Sequence, residues 1–301
     1  MTDAPTFAMR STFLAAQRSD ADAAVAVAGI PLDIGVSYRA GTRFGPEAIR
    51  RASAMLVGGG RPPHWIDPSA LPIADVGNFE IALGDLTKSY ELIEKQAGRY
   101  THLVTLGGDH GITLPLLRAL RTRHGPLGLV HFDAHVDTWR ETFGQVYGHG
   151  TVFFHAIEEG LVDPGRMVQI GIRSPMPREV YEWTVGKGVT IVSAEEAQSS
   201  TPDNVARLVC ETVGAGPVYL TSDVDALDPA FAPGTDTPEI GGLATWQAQA
   251  ILRRLGSHAF VGMDVVEVSP PYDVSDITAL VGATMAWEYL CLVAPILAGG
   301  R

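Results

Sequence analysis

Short apolar runs recur along the chain, each bounded by glycine, proline or charged residues. Runs of four to eight residues with such boundaries are typical of buried strands. Eight of them predict strands over residues 23–30, 71–76, 102–106, 127–132, 167–172, 189–192, 217–222 and 259–266. The segments between them predict helices from residue 45 and over residues 85–100, 113–124, 149–159, 202–213, 244–255 and 277–297. This alternation predicts an α/β fold with a mostly parallel sheet of about eight strands.

Residues 1–22 do not share this pattern, because they are polar and rich in alanine. We expect them to form an N-terminal arm over the surface or over a neighbouring subunit. Glycine- and proline-rich stretches over residues 31–44, 58–70, 138–148 and 228–242 predict loops, and none of them reads as an interdomain linker. Residues 23–301 are therefore predicted to form a single domain.

The overall composition narrows the possible functions. The chain of 301 residues carries 34 Asp and Glu against 22 Lys and Arg, for a formal charge of −12. Nucleic acids and anionic membrane surfaces require basic patches, so neither is an expected partner. Cys210 and Cys291 lie in apolar, helical stretches and are expected to stay reduced. Without a signal-peptide pattern or 18 consecutive apolar residues, the sequence predicts a cytoplasmic protein.

The candidate chemistry is concentrated in the heptad that begins at His131 and ends at Asp137. Asp133, His135 and Asp137 are spaced two residues apart, and alternate residues of an extended chain point the same way. Ligands of these types without cysteine suit a hard or borderline divalent cation. The alternative is a solvated acidic turn after a core strand. His131 is one residue out of phase and is expected to support the site from behind.

Two further strand ends carry side chains of the same kinds. His110 follows strand 102–106 after a glycine pair, and Asp223 and Asp225 end strand 217–222. Ligands of parallel sheets bind at the carboxyl ends of the strands, where these residues would meet. Without metal so many acids would repel one another, and one cation does not need six side chains. The sequence therefore predicts two cations that share a carboxylate, held by His110, Asp133, His135, Asp137, Asp223 and Asp225.

The segments 107–110, 132–137 and 222–229 resemble the three signatures of the ureohydrolase family, the arginases and agmatinases. The resemblance covers nearly the whole chain and includes residues 41–46, 149–151, 233–235 and 267–270. It implies a three-layer α/β/α fold, two manganese ions per chain and hydrolysis of a guanidino group to an amine and urea. It also implies that His149 is an active-site histidine, that Glu267 holds the guanidinium, and that the protein is a homotrimer or homohexamer.

These residue types suit the attack of water on a guanidinium, which is a resonance-stabilised cation. Two cations about 3.5–4 Å apart can lower the pKa of a shared water. Asp137, or another carboxylate of the site, can accept the proton left on the attacking oxygen. Glu267 offers a bidentate anion to a planar cation, and His149 can carry a proton to the leaving amine. The alternatives are a helix cap for His149 and a surface or supporting role for Glu267.

The loop after Asp137 bears on the choice of guanidino compound. It reads Thr138-Trp139-Arg140-Glu141-Thr142 and lacks the asparagine that arginases place there, so arginine is not expected. Overall resemblance favours agmatine, cleaved to putrescine and urea, with 4-guanidinobutyrate, 3-guanidinopropionate and more elaborate guanidino acids as alternatives. An inward Arg140 would bind a substrate carboxylate, whereas Glu141 would attract an ammonium, and Trp139 would wall the pocket. Arg140 could instead be solvated.

A function outside hydrolysis of guanidino compounds is the more remote alternative. A metal-dependent deacetylase on the same fold needs one zinc and fewer ligands than the six found here. A metal-binding protein without catalysis would not need His149 and Glu267 beside the metals. The sequence therefore favours a ureohydrolase.

Overall fold

The computed structural model of the chain describes residues 5–20, 22–62, 64–256 and 258–299. At its centre is a sheet of eight strands in which all neighbouring strands are parallel. The strands are β1 (Val25–Ile30), β2 (Ile73–Asn78), β3 (Leu103–Gly107), β4 (Leu127–Phe132), β5 (Val162–Ile172), β6 (Thr190–Ser193), β7 (Pro217–Asp223) and β8 (Ala259–Val266). The predicted α/β class and strand number are confirmed.

Helices connect the strands throughout the described ranges. They are α1 (Gly45–Ser53), α2 (Leu86–Ala97), α3 (Thr113–His124), α4 (Val152–Glu158), α5 (Arg178–Gly186), α6 (Ala194–Ser199), α7 (Pro202–Val213), α8 (Thr245–Leu252) and α9 (Ile277–Gly299). The sequence pattern does not predict α5 or α6. Among the residues of α5 only Thr184 is fully buried, and α6 is six residues long, so neither has a long apolar stripe.

The core consists of two apolar clusters, one on each face of the sheet. Side chains alternate across β1, so that Val25 and Val27 join one cluster and Ala26 and Ala28 join the other. Buried residues of α1, α7, α8 and α9 belong to the first cluster, and those of α2, α3 and α4 belong to the second. The result is the three-layer α/β/α arrangement that the resemblance implies.

The predicted N-terminal arm is partly packed into this fold. Phe13 and Leu14 are buried in the first core cluster, and the Phe13 N–H donates to Asp75 Oδ2 at 2.7 Å. The carbonyl oxygen of Arg18 accepts from the N–H of Asp75 at 3.0 Å, beside the edge strand β2. The stretch from residue 13 to residue 18 thus packs against its own chain. Residues 1–4 and 21 of the predicted arm, and residues 300–301 of the predicted domain, lie outside the described residues.

Helix α9 is long and apolar enough to cross a membrane between Ile277 and Pro295, by length and composition alone. Of that window, 78% is buried inside the molecule, as in the core helix of a folded domain. Its acidic residue Glu288 forms ion pairs with Arg61 and Arg253. The helix therefore packs as a central element of the core.

Candidate metal centre and active site

The predicted site residues meet at the carboxyl ends of the four central strands. The strand order is β2-β1-β3-β8-β7-β4-β5-β6, so β3, β8, β7 and β4 are neighbours although they are far apart in sequence. Each of these strands ends at or just before predicted site residues, which are His110 after β3, Glu267 after β8, Asp223 and Asp225 at β7, and Asp133, His135 and Asp137 after β4. The parallel sheet thus brings all of them to one edge.

Asp133 lies between two groups of potential metal ligands. Its Oδ2 is 3.1 Å from His110 Nδ1, which also faces Asp137 Oδ2 at 3.1 Å and Asp223 Oδ2 at 3.4 Å. Its Oδ1 is 3.2 Å from His135 Nδ1, which in turn is 3.1 Å from Asp225 Oδ2. The two groups therefore share one carboxylate, as two neighbouring cation sites require.

A chain of buried hydrogen bonds determines which nitrogen of His110 is free. Thr221 Oγ1 donates to Asp264 Oδ1 at 2.5 Å, so it can accept from His110 Nε2–H at 2.9 Å. Thr113 and Tyr219 also donate to Asp264. With its proton on Nε2, neutral His110 has an Nδ1 lone pair that can bind a cation lying between the ring and the carboxylates.

His131 supports Asp133 from behind the site, as expected from its phase. Its Nε2 lies 2.7 Å from Asp133 Oδ2, and Gln169 Nε2 lies 3.1 Å from its Nδ1. Asp109 accepts from the N–H of Gly111 within its own turn, and also from the N–H of Gly35 across the site. His131 Nε2 lies close to the group formed by His110, Asp133 and Asp137, but it is already bonded to Asp133 Oδ2.

Burial and mutual repulsion dominate the electrostatics of the cluster without a cation. Burial and the charges of Asp225 and Asp133 raise the pKa of Asp223 well above its usual value. Burial opposes protonation of His135, but Asp225 and Asp133 outweigh it and raise its pKa to about 12. Protons therefore occupy the cluster where a cation would otherwise balance the acids.

The donor set fits divalent metal ions. Carboxylates and imidazoles are ligands for borderline cations such as manganese and zinc. The buried atoms His110 Nδ1 and Asp225 Oδ2 have no hydrogen-bond partner among the described residues, which is costly unless a ligand satisfies them. The first is a lone-pair nitrogen and the second a carboxylate oxygen, so the missing partner is a cation.

A third group of side chains lies beside this cluster. His149 Nδ1 is 3.4 Å from both Asp236 Oδ2 and Glu267 Oε1. Glu267 has a left-handed φ of 65°, and its Oε1 accepts the His110 N–H at 2.6 Å, which leaves Oε2 buried without a partner in the described structure. Burial, followed by the charge of Asp236, raises the pKa of Glu267 well above its usual value. A free, buried carboxylate oxygen in this place can receive a cationic substrate group.

A cavity of about 370 Å³ opens over the cluster. Its walls include Ser37, His135, Asp137, Trp139, Glu141, Phe143, His149 and Asp223. The residues of the loop after Asp137 that were considered for contact with the far end of the substrate differ in position. Trp139 and Glu141 line the cavity, whereas the exposed Arg140 places its guanidinium 5.7 Å from the ring centre of Phe154. No lysine or arginine is among the described residues that line the cavity.

Three residues of the site were not identified from the sequence. Asp264 interrupts the apolar run of β8, and a lone acid inside a buried strand was the available signal. Ser37 and Asp236 lie in loops whose composition gives no such signal. Their roles depend on contacts with residues 112 and 31 positions away in sequence, Ser37 with His149 and Asp236 with Glu267.

The parallel fold and the clustered ligands define a metal-dependent α/β enzyme. Sequence comparison matches residues 23–291 to the Arginase family. The chain belongs to the arginase family, and it is a hydrolase that acts on amidino carbon–nitrogen bonds.

Individual relatives agree with this placement. A guanidinobutyrase of Pseudomonas aeruginosa is 46% identical over 277 residues, covering 89% of this chain and 86% of the relative. An agmatinase of Neisseria gonorrhoeae is 48% identical over 272 residues, covering 88% and 86%. Among solved structures, the proclavaminate amidino hydrolase of Streptomyces clavuligerus is 38% identical with a TM-score of 0.92, covering 97% of this chain and 99% of that one.

Proposed function

We propose that this protein is an agmatinase, which hydrolyses agmatine to putrescine and urea with two manganese ions per chain. The observation that carries this choice of substrate is the acidic cavity wall, where Glu141 is present and Arg140 faces outwards. Agmatine bears a guanidinium at one end and an ammonium at the other, so both ends are cationic. The similarity to an agmatinase at 48% identity is in keeping with this choice.

The two ligand groups that meet at Asp133 would hold the metal ions. One group is His110, Asp133, Asp137 and Asp223, and the other is Asp133, His135 and Asp225. Bound there, two divalent cations would supply Lewis-acid activation of the attacking water. Manganese suits this mixture of carboxylate and imidazole ligands.

The residues around the metals would bind and orient the substrate. Glu267 Oε2, which is buried and free, would hold the guanidinium by a charge-assisted hydrogen bond. Asp137, which lines the cavity, would accept the proton that remains on the attacking oxygen. His149 also lines the cavity and would carry a proton to the leaving amine. Trp139 and Phe143 would exclude water from the aliphatic chain.

The test is urea release from agmatine, 4-guanidinobutyrate, 3-guanidinopropionate and arginine by protein loaded with Mn²⁺. We expect the highest kcat/KM for agmatine. Because Glu141 is exposed, its charge is worth roughly 1 kcal/mol, so Glu141→Gln should lose about fivefold on agmatine and little on the acids. Arg140→Ala is the matched control and should leave the order of the substrates unchanged.

A guanidino acid is the second candidate, favoured by the 46% identical guanidinobutyrase. It would be the substrate if 4-guanidinobutyrate were hydrolysed faster than agmatine at equal concentration. Loss of that activity in Arg140→Ala would then indicate that Arg140 binds the carboxylate of 4-guanidinobutyrate, for which the Arg140 side chain would have to turn inwards. Failure of all four substrates with metal bound would contradict both candidates and would leave a more elaborate guanidino acid as the substrate.

The sequence and the family resemblance also support proposals about the oligomeric state, the cellular location and the metabolic role of the protein. We expect a homotrimer or homohexamer in the cytoplasm, which light scattering and cell fractionation would test. Putrescine as product would connect the enzyme to polyamine biosynthesis.

A further inference from the structure

The backbone at Ser37 determines which nitrogen of the neutral His149 ring carries the proton. The Ser37 N–H donates to His149 Nε2 at 3.1 Å, and Ser37 Oγ lies 2.8 Å from the same nitrogen. A nitrogen that accepts a backbone N–H cannot carry a proton of its own, so neutral His149 has its proton on Nδ1. Ser37 and His149 both line the cavity, and the Ser37 hydroxyl stands beside the reactive nitrogen.

The other side of the His149 ring faces acids. Nδ1 is 3.4 Å from Asp236 Oδ2 and 3.4 Å from Glu267 Oε1, and Asp109 is a third buried carboxylate close enough to interact with the ring charge. Asp236 is fully buried, and its Oδ2 has no hydrogen-bond partner among the described residues. Its Oδ1 accepts from Thr237 at 3.0 Å. Asp236 thus places an unpartnered, buried carboxylate oxygen beside the His149 Nδ1–H.

We propose that Ser37, His149 and Asp236 form a proton relay at the cavity wall, which takes a proton from the attacking water and delivers it to the leaving amine. Ser37 transfers protons between the cavity and Nε2, and Asp236 is a positioning residue that stabilises the imidazolium. The relay deepens the proposed function, because it rests on His149 delivering a proton to the leaving amine. None of the three contacts involves the residues proposed to hold metal.

The proton movements balance in both directions. A water in the cavity gives a proton to Ser37 Oγ as the Ser37 O–H proton passes to Nε2, whose lone pair forms the new N–H bond, and the hydroxide that remains adds to the guanidinium carbon of the substrate. In the return step Nε2–H passes its proton to Ser37 Oγ, and the Ser37 O–H proton passes to the leaving nitrogen. The backbone N–H of Ser37 occupies the Nε2 lone pair in the resting site, whereas Asp236 Oδ2 lies beside the Nδ1–H on the other side of the ring. The imidazolium is therefore formed and discharged within one turnover.

The first test compares Ser37→Thr with Ser37→Val in the metal-loaded enzyme. The two side chains have the same shape, both keep the backbone N–H, and only threonine has a hydroxyl. Positioned acid–base groups are worth about 10²–10⁴ in rate, so we expect Ser37→Val to lose about a hundredfold in kcat with KM nearly unchanged. Ser37→Thr should recover most of that loss. Equal kcat values for the two variants, at equal metal content, would overturn the relay.

The second test places Ser37 and His149 in series. In a shared pathway Ser37→Val should cost nothing further when His149→Ala is already present, whereas independent roles would give multiplied losses and contradict the relay. Asp236→Asn keeps the Thr237 contact and removes the charge, and should lose about tenfold in kcat. Asp228→Asn in the same loop is its matched control, because within the described ranges the Asp228 carboxylate accepts only from the backbone N–H groups of residues 230, 241 and 242.

The same variants separate failure of the relay from failure of the proposed function. If His149→Ala retains the wild-type kcat on agmatine, the assignment of His149 falls, and the relay falls with it. If His149→Ala loses activity while both Ser37 variants remain as active as each other, only the relay is refuted. An Asp236→Asn variant with raised KM and unchanged kcat would make Asp236 a substrate contact and would also refute its role in the relay.

Discussion

Two buried groups of charged residues in this molecule differ in whether their polar atoms have hydrogen-bond or ion-pair partners. In the first, Asp75 Oδ2 accepts from Arg50 Nε at 2.8 Å, and its Oδ1 accepts from Arg50 at 2.9 Å and from the Gly77 N–H at 3.0 Å. Arg50 also donates to Asn78 and to the carbonyl oxygen of Gly77. In the second, the cluster around Asp133, acids outnumber donors and several buried atoms have no partner in the described structure.

This difference in pairing distinguishes charged residues that stabilise the fold from charged residues that bind a ligand. The Arg50–Asp75 pair, on α1 and β2, is complete within the chain, so its charges cost little once buried. The site cluster is incomplete, and its acids are stabilised only when cations arrive. Satisfaction of buried polar atoms is therefore a better indicator of function here than burial or charge alone.

The largest expected effect comes from removing the shared ligand. Asp133→Asn should abolish metal binding and lower kcat/KM by about three orders of magnitude or more, because the metals supply several kcal/mol to the transition state. Urea release and metal analysis of the same sample check this. An Asp133→Asn variant that keeps both metal ions and more than a tenth of the activity would contradict the role of Asp133 as the shared ligand.

Arg50→Met should act on stability instead. It leaves the buried carboxylate of Asp75 without its cation, which costs about 3–5 kcal/mol in the free energy of unfolding. Urea denaturation followed by circular dichroism measures this. Metal content and activity of the folded fraction should stay near wild type. The double variant Arg50→Met with Asp75→Asn should recover part of the loss, and a loss below 1 kcal/mol in the single variant would contradict the role of the pair.

The buried side chain of His102, which is paired with Tyr289, should make the stability of the folded protein depend on pH. Burial, with a smaller contribution from the charge of His124, lowers the pKa of His102 to about 4, and its Nε2 is 2.8 Å from Tyr289 Oη. The unfolded chain binds this proton between about pH 6.5 and 4 and the folded chain does not, so stability is full above pH 6.5 and falls by about 3 kcal/mol towards pH 4. His102→Gln, which can still bond Tyr289, should flatten this part of the profile.

In metal-free protein, the acids around Asp133 should also make stability depend on pH. The effect should be smaller than that of His102 and opposite in sign. Because burial and neighbouring acids raise the pKa of Asp223, the folded state binds this proton more tightly, and stability falls as pH rises above the usual aspartate range. Metal-free Asp223→Asn should therefore exceed metal-free wild type at pH 8 by about 1 kcal/mol or more. Saturating Mn²⁺ should reverse the order in thermal unfolding, and equal responses to metal would contradict this assignment.

The strands could be predicted because each is a short apolar run between turn-forming residues. The errors have local causes. Asp163, Pro164 and Gly165 interrupt the apolar pattern, so β5 was placed from residue 167 instead of Val162, and α5 and α6 have little apolar face. The strand order could not be predicted, because it depends on long-range packing.

Site residues that follow a strand directly could be predicted from the sequence, whereas site residues that lie in loops could not. Asp133 and His135 follow β4 directly and meet in a bend where the His135 N–H donates to Asp133 Oδ1, and Asp137 reaches the cluster through a left-handed φ of 51° that no alternation rule predicts. The direction of Arg140 depends on Phe154 of the following helix, and the proximity of Asp236 to His149 depends on two independent loops. Such contacts are set by tertiary structure alone.

The sheet order has a consequence for synthesis of the chain. Strand β8 is the last in sequence, yet it lies between β3 and β7 in the middle of the sheet. Until residue 266 has left the ribosome, β3 and β7 lack their common partner, and each exposes an edge that could pair with another molecule. Glu267, which follows β8 directly, then completes the active site at the moment when the two halves of the sheet join. A nascent or truncated chain that ends before β8 would thus be both inactive and prone to aggregation.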